Sequence, residues 1–406
     1  MDVTDFLRAV QSEVRHERGR RLTRVGLIGR LLCFFIGMQL TLTAGSTQAA
    51  ILPEDRSDVM YHGYDGGGLQ VNGPSVLVRK SIKDKVSIWG NYYVDMISSA
   101  SIDVVTTASA YEEQRDEMSV GVDYLHGKTF MGFSYTNSEE SDYSANSARF
   151  GISQDFFGDL TTLGISYTRG WDEVRRNGDD LFREDTDRQG YRVDLSQVIT
   201  KNFILNLNYE AVTDEGFLNN PYRQVRFLDA SSARGYSYEA EIYPRTKTSS
   251  ATAIRGMYYL PYRAALKGEF RYYSDTWGTT GWNAEVAYVH PVTESFTVEG
   301  KYRYYQQTEA DFYADLFPYS RSQNFMARDK ELAAYSSHTI GLGVSYKFRM
   351  PWVSFLKRGE VSLFMDYLLL DYDNFTDLRV TDTAPGEEPL YSLDSTIIRA
   401  FISFWY

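Results

Sequence analysis

The chain has 406 residues, enough for one large all-β domain or two ordinary ones, and its 42 Lys and Arg against 54 Asp and Glu leave a net charge of −12. That balance excludes a nucleic-acid partner, whose phosphates require a basic surface. Abundant Tyr (32), Phe (23) and Gly (31) with few Pro (10) suit strands that turn a ring toward an apolar medium, and a mean hydropathy of −0.38 excludes a bundle of transmembrane helices but not a half-polar barrel.

The first fifty residues stand apart. "RGRRLTRVGLIGR" is basic, "LLCFFIGMQLTL" apolar and "TAGSTQAA" small and polar, the three regions of a secretory signal peptide. The apolar run of 12 residues falls short of the ~20 that cross a bilayer as a helix. Residues 1–50 are therefore expected to be a signal peptide and residues 51–406 the mature domain. Cys33, the only cysteine, sits in that run behind Leu31 and Leu32, where lipidation would want a small residue. Its removal with the signal leaves no disulfide, thiol nucleophile or thiolate metal site.

From "RSDVMYHGYD" onward, alternation with period two replaces any helical pattern, giving each segment one apolar and one polar face. "NFILNLNYE" sets Phe203, Leu205, Leu207 and Tyr209 against Asn206, Asn208 and Glu210. "ALKGEFRYYSD" sets Leu266, Phe270 and Tyr272 against Lys267, Glu269 and Arg271. "SFTVEGKYRYYQQ" sets Phe296, Val298, Tyr302 and Tyr304 against Glu299, Lys301 and Arg303, and "HTIGLGVSYKF" continues the pattern with Ile340, Leu342, Val344 and Tyr346. The charges Lys267, Glu269, Arg271, Glu285, Glu299, Lys301 and Arg303 thus share the inner face of neighbouring strands. Two roles stand open for them: lining a water-filled pore, or pairing across strands to satisfy a crowded lumen.

Short connections (83–85, 126–128, 157–159, 200–202, 261–263, 291–294, and a longer one at 351–359) alternate with long polar stretches at 98–116, 138–147, 171–189, 214–249, 307–337 and 372–393. Segments of about ten residues are too long for a sandwich. The pattern predicts a closed antiparallel transmembrane β-barrel of about 16 strands in the bacterial outer membrane, with short periplasmic turns, long extracellular loops and both termini periplasmic. Tyr236–Pro244 reads either as a strand extending beyond the membrane or as part of a loop hairpin.

Two loops invite a chemical reading. Asp172, Glu173, Asp179, Asp180, Glu184, Asp185 and Asp187 crowd one of them, but their spacing fits no calcium-loop template, and a solvated acidic loop with no metal is expected. "FYADLFPYSRSQNFMARDKEL" carries Phe312, Tyr313, Phe317, Tyr319 and Phe325 with Arg328 and Asp329, too aromatic for a freely waving segment. It is expected to fold inward as a constriction, to cap the mouth, or to pack on its neighbours and stiffen the rim. The remaining histidines, His62, His126, His290 and His338, stand in no Ser-centred motif, and no haem-attachment motif occurs. Neither an enzyme nor a cofactor is expected.

The chain closes on "STIIRAFISFWY", with Ile398, Ala400, Ile402, Phe404 and Tyr406 on one face and Arg399 on the other. Ile402, Phe404 and Tyr406 match the C-terminal signature of outer-membrane barrels. That resemblance implies a strand read by the barrel-assembly machinery, then exposed to outer-membrane lipid.

The blocks "YHGYDGGGLQVNGPSVLVRK", "NYYVDMISSASIDVVT", "ISQDFFGDLTTL", "YEAVTDEGFLNNPYR", "YYLPYRAALKGEFRYYSDTWG" and "FYADLFPYSRSQNFMARDKEL" resemble a proteobacterial outer-membrane family known as a domain of unknown function. The resemblance covers nearly all of the chain beyond the signal. It implies a barrel and, from the lipoproteins, thioredoxin-like and flavin-attachment proteins encoded beside its members, an envelope redox setting. Two functions are expected on these grounds: a porin-like channel for a small hydrophilic solute or ion, or a scaffold or conduit barrel that holds a periplasmic or lipoprotein partner.

Overall fold

The computed structural model describes residues 51–99 and 111–406. The proposed signal peptide and most of the connection at 98–116 lie outside the described residues. In chain order the strands are β1 (Arg56–Gly66), β2 (Leu69–Ile82), β3 (Val86–Ser99), β4 (Tyr111–His126), β5 (Thr129–Glu139), β6 (Tyr143–Phe156), β7 (Thr161–Arg176), β8 (Asp179–Thr200) and β9 (Phe203–Gly216). They continue as β10 (Gln224–Leu228), β11 (Tyr236–Ala240), β12 (Thr246–Tyr259), β13 (Ala265–Asp275), β14 (Thr280–Pro291), β15 (Phe296–Gln307), β16 (Tyr335–Phe348), β17 (Arg358–Thr376) and β18 (Leu390–Trp405). Sixteen of them, all but the β10–β11 pair, form one closed antiparallel barrel.

Closure is made by β1 and β18, paired from Arg56↔Trp405 to Gly66↔Ser395. It leaves no unpaired edge, which is the condition for a sheet to cross a bilayer. The register turns the sequence alternation into two surfaces. Between β15 and β16, Val298↔Val344 and Tyr302↔Ile340 face outward, while Glu299↔Gly343 and Lys301↔Gly341 face the lumen. Around the wall Leu266, Phe270, Val286, Ile340, Leu342, Leu363, Met365 and Ile402 are exposed on the outside. Such an apolar exterior is stable only against lipid.

Gly341 shows how the inner face is fitted. A Cβ there would come within 2.2 Å of Asp366 Oδ1 and 2.5 Å of Lys301 Cε, so the missing side chain is the space through which Lys301 reaches Asp366.

The turn end matches expectation, with every connection short. At the loop end, two segments expected as long loops are strands. β5 and β6 are joined by residues 140–142 alone, and β7 and β8 by Asn177-Gly178, with Gly178 at φ +82°. Asn-Gly is the strongest short hairpin signal, and the surrounding run of acids hid it. Those acids stay on a sheet because arginines neutralise them: Glu173 lies 3.6 Å from both Arg175 and Arg183, Asp187 2.6 Å from Arg169, Glu184 3.0 Å from Arg245, and Arg176 pairs with Asp179. The 16 residues of β7 and 22 of β8 exceed the ~9–11 that span the bilayer, so this hairpin rises beyond it. Tyr236–Pro244 also finds its place: β11 pairs with β10 in a loop hairpin.

Candidate functional site

The lumen wall is built from the inner face of the alternating strands. All seven charges expected there take inward positions by register, and most meet a partner. Glu269 pairs with Arg255 and accepts from Asn283 at 3.3 Å. Lys267 lies 3.6 Å from Glu299, Arg271 3.7 Å from Glu210, and Lys301 3.0 Å from Asp366, which Arg399 also reaches at 2.7 Å. Glu285 stands opposite Arg303 in the β14–β15 register. Alternation gives the face of a residue but not its neighbour, so Arg255 and Asp366 went unnamed and Glu210, placed on the polar face, had no partner assigned. The same parity in "SSATAIRGMYY" and "VSLFMDYLLL" marks Arg255 and Asp366 as inward. Between β9, β12, β13 and β14 a recess of about 180 Å³ is lined by Asn206, Arg255, Met257, Lys267, Glu269 and Glu285.

A second cluster lies across β1, β3 and β4. His62 is buried with Nε2 2.7 Å from Asp95 Oδ1 and 3.0 Å from the Tyr93 hydroxyl, its ring stacked on Tyr93 at 4.8 Å, and Arg115 reaches the other Asp95 oxygen at 3.0 Å. No motif announces it.

Above this lumen, the connections 217–245, 308–334 and 377–389 fold together. Isolated bridges Phe227↔Phe317 and Ile242↔Met326 stitch the first two, and Tyr313↔Ala327 folds the second on itself. Their apolar core holds Tyr243, Trp277 and Phe312, with ring centroids 5.2 to 5.5 Å apart, next to Tyr372, Phe375 and Tyr391. Tyr335, Leu370 and Leu393 pack on the same core and face inward by strand parity. The loops are therefore seated inside the mouth rather than above it. The cap also reaches the far rim, where the Tyr222 hydroxyl donates to Asp142 at 2.8 Å and accepts from the Asn177 N–H at 2.6 Å.

Of the residues expected in the aromatic loop, Phe312, Tyr313, Phe317, Arg328 and Asp329 are buried in the cap, whereas Tyr319 and Phe325 are 61% and 41% exposed. The residue that ties the cap together, Arg226, lay outside that loop. Fully buried, it donates to Asp315 at 2.6 Å and to both oxygens of Glu388 at 2.6 and 2.9 Å, joining all three connections. Arg328 adds a bond to Asp315 at 2.7 Å and stacks on Phe375 at 4.4 Å. Burial alone would raise the Asp315 carboxyl, but Arg328 and Arg226 overcome it and hold the group below its ordinary value. Glu241 shows the opposite balance. Burial, reinforced by the charge of Asp329, pushes it up to about 7 against the pull of Arg223.

At the closure seam, Ile402 is exposed on the lipid-facing side and Phe404 packs edge-to-face on Phe348 at 6.3 Å. Tyr406 is half-buried: its hydroxyl donates to the Arg79 carbonyl at 3.1 Å and accepts from Ser57 at 3.3 Å, with Lys80 5.1 Å over its ring. The last residue of the chain thus grips the first two strands.

A family model described as "Protein of unknown function (DUF3570)" matches residues 166–368. No curated protein matches the sequence. Among solved structures the chain is similar to a bacterial polysaccharide outer membrane secretin, with TM-score 0.47 and 8% identity over 87% of this chain and all of that one. It is also similar to the outer-membrane expressed OmpT of Vibrio cholerae, with TM-score 0.42 and 11% identity over 88% of this chain and all of that one. The siderophore receptor PirA from Acinetobacter baumannii gives TM-score 0.41 and 10% identity over 87% of this chain and 60% of that one.

Proposed function

Since the chain belongs to the family of proteins of unknown function DUF3570, a description that carries no activity, we propose from its geometry that this outer-membrane barrel is a gated, porin-like channel for a small hydrophilic solute or ion. The observation that carries the reading is a lumen wall rich in ion-paired Lys, Arg, Asp and Glu, beneath a cap whose loops are seated in the mouth. Charges are costly to keep dry even when paired, so a wetted lumen suits this wall. Mixed signs on facing strands suit a polar solute or small ion that exchanges partners as it moves. No cofactor enters this reading and no catalytic step. The His62–Asp95 pair is held in the wall by Tyr93 and Arg115, where it stiffens the barrel.

The scaffold reading keeps one supporting observation. Among the described residues the cap closes only the loop end, and the turn-end connections, the longest being residues 349–357, are too short to cross the lumen. A periplasmic or lipoprotein partner would thus enter from that side. Planar-bilayer recording of the refolded protein, intact and with residues 308–334 replaced by a short linker, tests the channel. Steady conductance in the shortened form and sparse openings in the intact form are expected. Silence in both overturns the channel, and a stoichiometric partner copurifying in mild detergent then favours the scaffold.

A further inference from the structure

The longest turn-end connection, "RMPWVSFLK" between β16 and β17, is built unlike the others. Two successive tight turns, Val353 N–H to Met350 O at 3.0 Å and Leu356 N–H to Val353 O at 3.1 Å, brace it, and its Lys357 N–H donates to the Trp405 carbonyl at 2.8 Å. Trp352 and Phe355 are left 79% and 69% exposed. Beside them Arg349 and Lys357 are both exposed and belong to none of the ion pairs among the described residues. The next cation, Arg358, is already engaged by Glu54 and stacked on Trp405 at 4.4 Å.

Three observations place this turn against the membrane rather than in open water. Phe348 lies over Gly359 and edge-to-face with Phe404, so the lipid-facing band runs without a break to the turn. Lys357, whose N–H extends the ladder by one bond to the Trp405 carbonyl, continues the parity of Val361 and Gly359 onto that same outer side. Glu360, the nearest carboxylate in sequence, falls on the lumen side, and Glu54 at the same rim is engaged by Arg358. Tryptophan with flanking Arg and Lys is the composition that settles at a bilayer interface, ring in the acyl boundary and cations at the phosphates.

We propose that the 349–357 turn is an anionic-phospholipid site on the periplasmic leaflet, with Trp352 and Phe355 among the acyl chains and Arg349 and Lys357 on the headgroup phosphate. A guanidinium can grip phosphate oxygens in pairs while Lys supplies a point charge. The outer position of Lys357 and the unbroken apolar band favour lipid over a protein as the occupant.

The test uses the full barrel refolded into nanodiscs of phosphatidylethanolamine with and without phosphatidylglycerol, whose acyl chains are brominated near the headgroup. The difference in fluorescence quenching between wild type and Trp352→Phe isolates Trp352. Strong quenching by brominated phosphatidylglycerol is expected, with little quenching by aqueous acrylamide. Native mass spectrometry should find phosphatidylglycerol retained by the wild type and bound on the order of tenfold more weakly after Arg349→Ala with Lys357→Ala. Acrylamide quenching without bromine quenching overturns the proposal. So does equal retention of phosphatidylethanolamine and phosphatidylglycerol by the wild type, which requires no variant to fold. Protection of Trp352 from both quenchers in native outer membranes would identify a protein cover and overturn it equally.

Discussion

Arg226 and Asp315 meet at 2.6 Å in the centre of the cap, 89 residues apart in sequence, and the same guanidinium holds Glu388 from a third connection. A buried charge is tolerated when paired and hydrogen-bonded, and it is costly when a partner is removed. The cap is thus a closed unit fastened at a point where one residue bonds to all three loops.

Replacing Arg226 by Met should therefore undo the cap and spare the barrel. Buried Glu388 loses its cation and Asp315 keeps only Arg328, at about 3–5 kcal/mol. The expected result is faster proteolysis within 217–245 and more frequent channel openings, with heat-modifiable gel mobility unchanged. Loss of folded barrel along with the cap would mean that the loops are required for assembly.

The closed cap should loosen as pH rises. Glu241 has its value pushed up to about 7 from 4.5 in the cap, so between those values the closed state holds a proton that the released loop gives up. Stability is then greatest at the acid side of the window and declines as pH climbs through about 7. The groups around it are Asp329, Arg223, Tyr243 and the Arg328 backbone N–H. Hydrogen exchange of residues 217–245 from pH 5 to 8 should reveal the trend, and Glu241→Gln should flatten it. Protection that increases with pH would contradict the assignment.

Filling the lumen wall should disturb an ion pair. Gly341→Val places carbon where Lys301 and Asp366 meet, and overpacking of this kind costs about 1–3 kcal/mol. The thermal midpoint of the heat-modifiable form should fall, whereas Gly268→Ala, which meets nothing within 4 Å, should leave it in place.

The last strand separates its two faces. Ala400→Arg puts a charge toward lipid, at about 2 kcal/mol or more depending on depth. Arg399→Ala removes one of two cations on Asp366 and leaves Lys301, so it should be the milder change. Deleting Tyr406 releases its bonds to β1 and β2 and should slow assembly. Equal folded yields for all three would show the strand register to be wrong.

Barrel class, strand number, inward charges and turn positions were legible because period two is a local property of each segment. Lys267, Glu269 and Arg271 declare their face without reference to any other strand. The partners are a property of register across strands, and for that reason Asp366 went unnamed and Glu210 had no partner assigned. The acidic hairpin was missed for a different reason. Charge density at Asp172–Asp187 suggested a loop, while Asn177-Gly178 and the arginines Arg169, Arg175, Arg176 and Arg183 already encoded a neutralised sheet. The cap's fastening was the least legible part. Arg226, Asp315 and Glu388 are ordinary surface residues in sequence and become a core only when three connections converge.

The central claim is that the cap governs passage through the lumen, and a reversible lock tests it directly. Ile242 and Met326 exchange backbone hydrogen bonds at 3.0 and 2.8 Å across the first two connections, a separation within the reach of a disulfide, and Cys33 is the sequence's one cysteine. Single-channel recording of the Ile242→Cys, Met326→Cys protein should find it shut when oxidised and opening intermittently after reduction. Identical conductance in the two states would contradict the account.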